Sequence, residues 1–374
     1  MVLYFHSLGY TPFEVAMLFL FYEFFGIVTN LLGGWLGSRL GLNVTMHLGM
    51  VMQVAALFML TVPDPWLSVA YVMFAQALSG IAKDLNKMSA KASIKTFLPE
   101  QSDSKLFKWV AILTGSKNAL KGAGFFIGAA LLQVVGFQGA LLSLAIFLSI
   151  FLIASYILLP AELGKSKSKS KFSQIFSKSR EINWLSAARF FLFGARDIWF
   201  VVGLPVYLYS VFHWSFSQVG SFFAIWIIGY GIVQASAPGL LKRSHAGTGP
   251  DAGTAIRWAS ILLLVCCLLA LAMQIEYETP LVLISGLILF AIVFAINSAI
   301  HSYLVVAWSD HDKVAMNVGF YYMSNAGGRL TGTVLSGLIY QYFGLTGCLW
   351  ASCLFIAMTV ILSTQFKSKS LSVP

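Results

Sequence analysis

The sequence predicts an all-α membrane protein of about eleven spans arranged as two halves, and three observations predict it. Of 374 residues, 58% are hydrophobic and only 10% are charged, with mean hydropathy +0.81; a soluble domain of this size carries far more charged surface. The apolar residues lie in unbroken runs of roughly 18 to 25, the length that crosses a bilayer core as helix. Lysine and arginine, finally, are sorted to one side of those runs.

Taken in order, apolar helices are expected over 12–37, 44–62, 66–90, 107–134, 138–160, 183–210, 216–240, 254–275, 280–307, 314–341 and 345–366. Met1 to Ser7 is apolar but too short to span, and Leu8-Gly9-Tyr10-Thr11-Pro12 reads as a turn. The simplest account makes Met1 the outer end of a first helix that is largely missing, so that a complete chain has twelve spans in two six-helix halves. No cleavable signal peptide is visible.

Seventeen of the 24 Lys and Arg fall in loops or at helix ends on one side, Lys91 and Lys95 among them, and the other seven lie within spans. None is left for the opposite loops, such as Pro63-Asp64-Pro65, His213-Trp214-Ser215 and Glu276-Tyr277-Glu278. The basic side is therefore expected to be cytoplasmic.

Residues 161–182, with Lys165-Ser-Lys-Ser-Lys-Ser-Lys171, form a polar, basic, low-complexity segment, expected to be a solvated linker near anionic lipid. It divides an N-terminal helical half, 1–160, from a C-terminal half, 183–374. The halves repeat: an offset of 208 pairs Lys121 with Arg329, Gly124 with Gly332, Gly136 with Gly344 and Gly139 with Gly347. Gly26-Ile27-Val28 likewise matches Gly231-Ile232-Val233. Small-xxx-small spacings at Gly33/Gly37, Gly124/Gly128 and Gly328/Gly332 mark close helix packing.

The seven cations within spans carry the functional reading. Lys83 and Lys87 share one helix face, Lys117 and Lys121 another, Arg189 and Arg196 a third, and Arg329 stands near mid-span. Only Glu23, Asp84 and Asp197 lie at comparable depth, leaving an excess of about four positive charges. Each charge near the bilayer centre costs roughly 2.5–3.5 kcal/mol. Such residues persist where they pair or line a water-filled cavity, and three carboxylates cannot pair with seven cations. An anion is expected to neutralise the rest, with Arg offering a planar fork to oxyanions and Lys a mobile point charge. Snorkelling is the competing account, strongest for Lys83, Lys87 and Arg189, nearer the basic end. Asp84 and Asp197 stand beside Lys83 and Arg196, but neighbours on a helix diverge by about 100°, so neither pair need touch. Glu23 has no cation nearby in its own helix and is a proton-coupling candidate, as are Asp84 and Asp197.

Other function classes find little support. Cys266, Cys267, Cys348 and Cys353 sit inside apolar runs without metal-ligand spacing, so no metal or cofactor is expected. No hydrolase triad or phosphate-cradling loop appears, so no enzyme is expected. The net charge of +10 is parcelled out by topology, which argues for a lipid bilayer rather than nucleic acid as partner.

The loop Gly34-Trp-Leu36-Gly-Ser38-Arg39-Leu-Gly41-Leu42-Asn43 resembles the cytoplasmic-loop motif of the major facilitators at Gly34, Arg39 and Gly41. Ser38 stands where that family has the Asp of its gating ion pair, and Gln76 where it has an Arg. Four blocks resemble, more narrowly, the ArsJ-type organoarsenical efflux permeases. They are Leu18-Phe-Leu-Phe-Tyr-Glu23-Phe-Phe-Gly26-Ile-Val-Thr-Asn30, Gln76-Ala-Leu-Ser-Gly80-Ile-Ala-Lys83-Asp84-Leu-Asn-Lys87-Met-Ser-Ala-Lys91, Leu113-Thr-Gly-Ser-Lys117-Asn-Ala-Leu-Lys121-Gly and Phe193-Gly-Ala-Arg196-Asp197. The resemblance implies a major-facilitator fold in a bacterial inner membrane, with linker and C-terminus cytoplasmic. It also implies export of 1-arseno-3-phosphoglycerate, a small anion supplied by a partner glyceraldehyde-3-phosphate dehydrogenase. On that reading Lys117, Lys121, Arg196 and Arg329 hold the two oxyanion ends, and Lys83, Lys87 and Arg189 draw the anion in. An organic-phosphate or carboxylate exchanger of the same fold stays open, as does a non-transporting membrane sensor or scaffold.

Overall fold

The computed structural model describes residues 11–17, 20–63, 69–97, 103–159, 179–241, 249–275, 280–310 and 313–366. Most of the basic linker and the first ten residues lie outside them. The regular elements are α-helices: α1 Pro12–Met17, α2 Leu20–Leu40, α3 Leu42–Met59, α4 Val69–Phe97 and α5 Asp103–Leu158, then α6 Arg180–Phe200, α7 Gly203–Ser210, α8 Phe216–Leu241, α9 Ala252–Gln274, α10 Pro280–Ala307 and α11 Val314–Ser363.

Two of these are pairs of helices joined at one residue. Gly136 breaks α5 at φ 71° and Gly344 breaks α11 at φ 61°, a conformation glycine reaches without the clash of a Cβ. They are the partners that the 208-residue repeat pairs. Counting both limbs, and α6 with α7 as one, the described residues hold eleven spanning helices in the predicted order. A second internal echo lies in the helix starts. Thr11 N–H donates to Glu14 Oε2 (2.8 Å) and Glu14 N–H to Thr11 Oγ1 (3.3 Å), a capping box with Pro12 at the first helical position. Ser215 and Gln218 close the same reciprocal pair, at 2.8 and 3.3 Å, ahead of α8.

Seven stretches are long and apolar enough to cross a membrane by length and composition. The three spanning helices that fall short, α2, α4 and the first limb of α5, carry Glu23, Asp84 and all four N-terminal span lysines. The two kinds of helix occupy different places. Gln138–Leu158 has only 6% of its most apolar window buried, whereas Arg180–Ser210 has 78%. Val134, Ile157, Leu158 and Leu281 stand exposed, as they would toward hydrocarbon. The chain is a multi-pass membrane protein.

The N-terminal and C-terminal helices meet along two bare-backbone seams. A Cβ on Gly34 would lie 2.9 Å from Ala315 O and from Gly319 Cα, and one on Gly319 would lie 2.7 Å from Asn30 O. In the second seam, a methyl on Gly115 would strike the backbone of Gly231 and Ala235, and one on Gly231 that of Gly115 and Ala119. These contacts bring α2 against α11 and α5 against α8, the close approach that small residues allow.

At the basic end the two sets of helices are shut against each other. One buried apolar cluster includes Leu42, Met88 and Phe107 from the first set and Tyr303, Val318 and Tyr321 from the second. The Phe107 and Tyr303 rings meet edge to face at 5.3 Å. Lys95 Nζ donates to Val306 O (2.8 Å) and Ala307 O (3.2 Å) and also to Ser309 O, so a cation closes the carbonyl end of α10. Ser38, in the motif position of the gating Asp, bonds only within its own turn, to Trp35 O at 2.8 Å. The sequence reading ended this helix at 90 and counted Lys91 and Lys95 among the cations of loops and helix ends. Helix α4 runs on to Phe97 instead of ending at 90, because both lysines turn inward, and Lys91 is only 1% exposed.

Candidate functional site

A charge cluster bridges the two sets of helices. Arg329, on the first limb of α11, donates from Nη2 to Glu23 Oε1 of α2 (2.5 Å) and from Nε to Asp197 Oδ2 of α6 (3.1 Å). Arg196 Nε donates to the other Asp197 oxygen at 2.6 Å, and its Nη2 also approaches that oxygen. Asp197 is wholly buried and holds two guanidinium groups, one per oxygen. Adjacent residues Arg196 and Asp197 do touch, because the long Arg side chain folds back along the helix. Glu23, without a cation in its own helix, receives one from a helix 306 residues away in the chain.

Asp84 forms the second centre. Lys87 Nζ donates to Asp84 Oδ1 at 2.9 Å and lies 4.2 Å from the Tyr322 ring centroid, a cation–π contact reaching across to α11. A Cβ on Gly26 would lie 3.4 Å from Asp84 Oδ2, so a glycine of α2 makes room for this carboxylate. Lys87 therefore does not snorkel to the basic end; it is paired in the interior.

The remaining lysines face this cluster. Lys117 and Lys121 are exposed, and among the described residues neither has a hydrogen-bond or ion-pair partner. Lys121 interacts electrostatically with Arg329, Arg196, Asp197 and Glu23, and Lys117 with Lys87, Asp84 and Lys83. Lys83 is also exposed and lies in the field of Asp84, Lys87 and Arg329. The cluster thus gathers Lys83, Lys87, Lys117, Lys121, Arg196 and Arg329 around Glu23, Asp84 and Asp197. Six cations against three carboxylates leave three positive charges in excess, and three of the six, Lys83, Lys117 and Lys121, are exposed.

Arg189 stands apart. It is 3% exposed, donates to Asn325 Oδ1 (2.8 Å) and Ser298 Oγ (3.2 Å), and lies 3.7 Å from the Phe193 ring centroid. Those partners are neutral, and the residue is buried among them. Through Ser298 it joins a polar chain that sequence reasoning missed: Gln234 Nε2 donates to Ser298 Oγ (3.0 Å), and Asn118 Nδ2 to Gln234 Oε1 (2.7 Å). That chain connects α6, α10 and α8 to α5 beside Lys117. Its only sequence signal is polar residues inside apolar runs.

Asn297 and His301, two polar residues of α10, differ from each other. Asn297 Nδ2 bonds Trp258 O (2.8 Å) and Val293 O (3.0 Å), while both His301 ring nitrogens are buried without a hydrogen-bond partner. The four cysteines are free thiols, all within C-terminal helices.

Comparison with known proteins rests on sequence family and on shape. No curated protein matches the sequence significantly. Among solved structures, the chain is similar to the human organic anion transporter MFSD10, with TM-score 0.76, 17% identity and coverage of 94% of this chain and 85% of that one. It is similar to the proton:xylose symporter XylE at TM-score 0.75 and 11% identity, covering 95% and 86%. A bacterial homologue of the iron transporter ferroportin, in an outward-facing state, gives TM-score 0.70 at 15% identity, covering 92% and 89%. At such identities the likeness is one of fold. The model of the Major Facilitator Superfamily matches residues 1–300, most of the chain, and the chain belongs to that superfamily.

Proposed function

We propose that the protein exports a small anion bearing two oxyanion groups, the organoarsenical 1-arseno-3-phosphoglycerate, by alternating access. The observation that carries this reading is the excess of three positive charges in the cluster, with Lys121 in the field of Arg196 and Arg329 and Lys117 in that of Lys87 and Asp84. Uncompensated charge at membrane depth costs several kcal/mol, and an anion with one charged group at each end offsets it. The four sequence blocks that resemble organoarsenical permeases supply the arsenic.

The geometry refines the roles. Arg196 and Arg329 are already held by Asp197 and Glu23, so Lys117 and Lys121 make first contact with the anion and the arginines act as the fixed wall. Asp197, bridging two arginines, is the positioning hub. Glu23 binds a cation from the opposite half, so its ion pair forms and breaks as the halves move; it is the foremost proton-coupling group, with Asp84 second. Lys83 and Lys87 lead toward the cytoplasm, which in this reading lies at the basic end of a bacterial inner membrane.

The test is arsenate resistance in sensitive cells, with and without a partner glyceraldehyde-3-phosphate dehydrogenase. Resistance is expected only when both proteins are present, and Lys121→Met is expected to abolish it at unchanged protein abundance. Equal resistance without the dehydrogenase would overturn the substrate. A second reading, an organic-phosphate exchanger, is favoured by the same cation cluster, since phosphate and arsenate present alike oxygens. Saturable uptake of 3-phosphoglycerate without any arsenate phenotype would select it.

A further inference from the structure

The lysines of α4 fall at 83, 87, 91 and 95, each four residues from the next. Four residues advance a helix by about 6 Å and carry it about 40° past a full turn. The four side chains therefore form one stripe about 18 Å long that winds slowly around the helix. The winding accounts for their environments: Lys83 is exposed, whereas Lys91, two steps on, is 1% exposed.

The stripe's upper members sit in the central cluster and its last member grips the carbonyls of α10. Lys91 has neither kind of partner. Its Nζ is buried without a hydrogen bond, and its nearest aromatic contact is the Tyr322 ring at 5.1 Å. The charges acting on it are Arg189, Lys117 and Lys87, all cations. Arg189, from the opposite half, donates to the neutral Asn325 and Ser298 and lies against the Phe193 ring. The closed basic end thus confines two basic side chains from opposite halves, between the central cluster and the Lys95 contact. Burying charge without a counter-ion is costly. The apolar seal and the Lys95 grip hold the halves together against it, and that cost disappears once the basic end parts and an anion enters.

We propose that Lys91 and Arg189 form a second anion-binding station, nearer the basic end than the central cluster. It receives an oxyanion of the phosphate class when the halves separate there, and passes it along the stripe to Lys87 and Lys83. The proposal rests on the oxyanion reading of the central cluster.

The test uses the full-length protein in everted and right-side-out membrane vesicles, with radiolabelled 3-phosphoglycerate as probe. Lys91→Met is expected to raise the KM at least tenfold for probe presented at the basic end and less than twofold from the other side. Lys91→Arg, which keeps the charge, is expected to stay within about threefold of wild type on both sides. Equal shifts on both sides, or none, in protein of normal abundance would overturn the station and leave the central site standing. Rescue by neutral glutamine as well as by arginine would overturn it too, since charge would then be irrelevant. Wild-type vesicles without saturable flux of the probe in either direction would instead remove the oxyanion reading, and this proposal with it.

Discussion

Asp197 pairs with two arginines at once, Arg196 and Arg329. It is fully buried, and each of its oxygens takes one arginine. Removing one member of a buried pair leaves the other charge unmatched, at about 3–5 kcal/mol where burial is complete. Arg196 and Arg329 keep 16% and 29% side-chain exposure, so Asp197→Asn is expected to destabilise by about 3 kcal/mol. Glu23→Gln leaves Arg329 still bound to Asp197 and is expected to cost about half that. Thermal unfolding of the detergent-purified protein separates the two, and a larger loss for Glu23→Gln would contradict the hub assignment. These partnerships were half legible in the sequence. Arg196 and Asp197 are neighbours there, and an ion pair between them could be weighed. The pairing of Glu23 with Arg329 joins residues that only folding brings together, and no local pattern announces it. Arg189 is a different case: its place within a span was readable, but its neutral partners Asn325 and Ser298 belong to two other helices.

At the level of helices, the bare-backbone seam between α5 and α8 sets a sharp requirement. A methyl on Gly231 would strike the backbone of Gly115 and Ala119, while one on Gly229, two residues earlier on the same helix, meets nothing within 4 Å. Gly231→Ala is expected to force the helices apart and reduce transport at least tenfold. Gly229→Ala is expected to be neutral or slightly stabilising, since alanine gains about 1 kcal/mol over glycine in a helix interior. Parallel flux assays on the two variants check this, and equal behaviour would mean that the seam tolerates separation. The spans themselves were plain from hydropathy, because lipid demands long apolar runs whatever the tertiary contacts. The end of α4 was misplaced for a physical reason. Lys91 and Lys95 look like loop residues one at a time, yet their spacing of four from Lys83 and Lys87 was the sign that the helix continued. The breaks at Gly136 and Gly344 were marked by the repeat, although their left-handed geometry was not.

Across the whole molecule, closure at the basic end depends on a short set of inter-half contacts: the Phe107–Tyr303 pair, the grip of Lys95 on α10 and the shared apolar cluster. In a background lacking the native cysteines, Phe107→Cys with Tyr303→Cys is expected to be joined by a short bifunctional thiol reagent, arresting transport until the link is cleaved. Full flux in the linked protein would show that this end need not open. Lys95→Met is expected to lengthen the spin-label distance between Lys108→Cys and Lys313→Cys in the resting protein, since α10 then loses the cation at its carbonyl end. An unchanged distance would assign closure to the apolar cluster alone. The repeat suggests two halves, but which end is shut was not readable, because closure is a choice between conformations of one sequence. The glycine seams bear on how that choice is made. Gly34 against Gly319 and Gly115 against Gly231 meet without interlocking side chains, so nothing there must unmesh when one bundle tilts on the other. In the proposed alternating-access cycle they act as low-friction fulcrums, about which one bundle leans on the other without side chains to disengage.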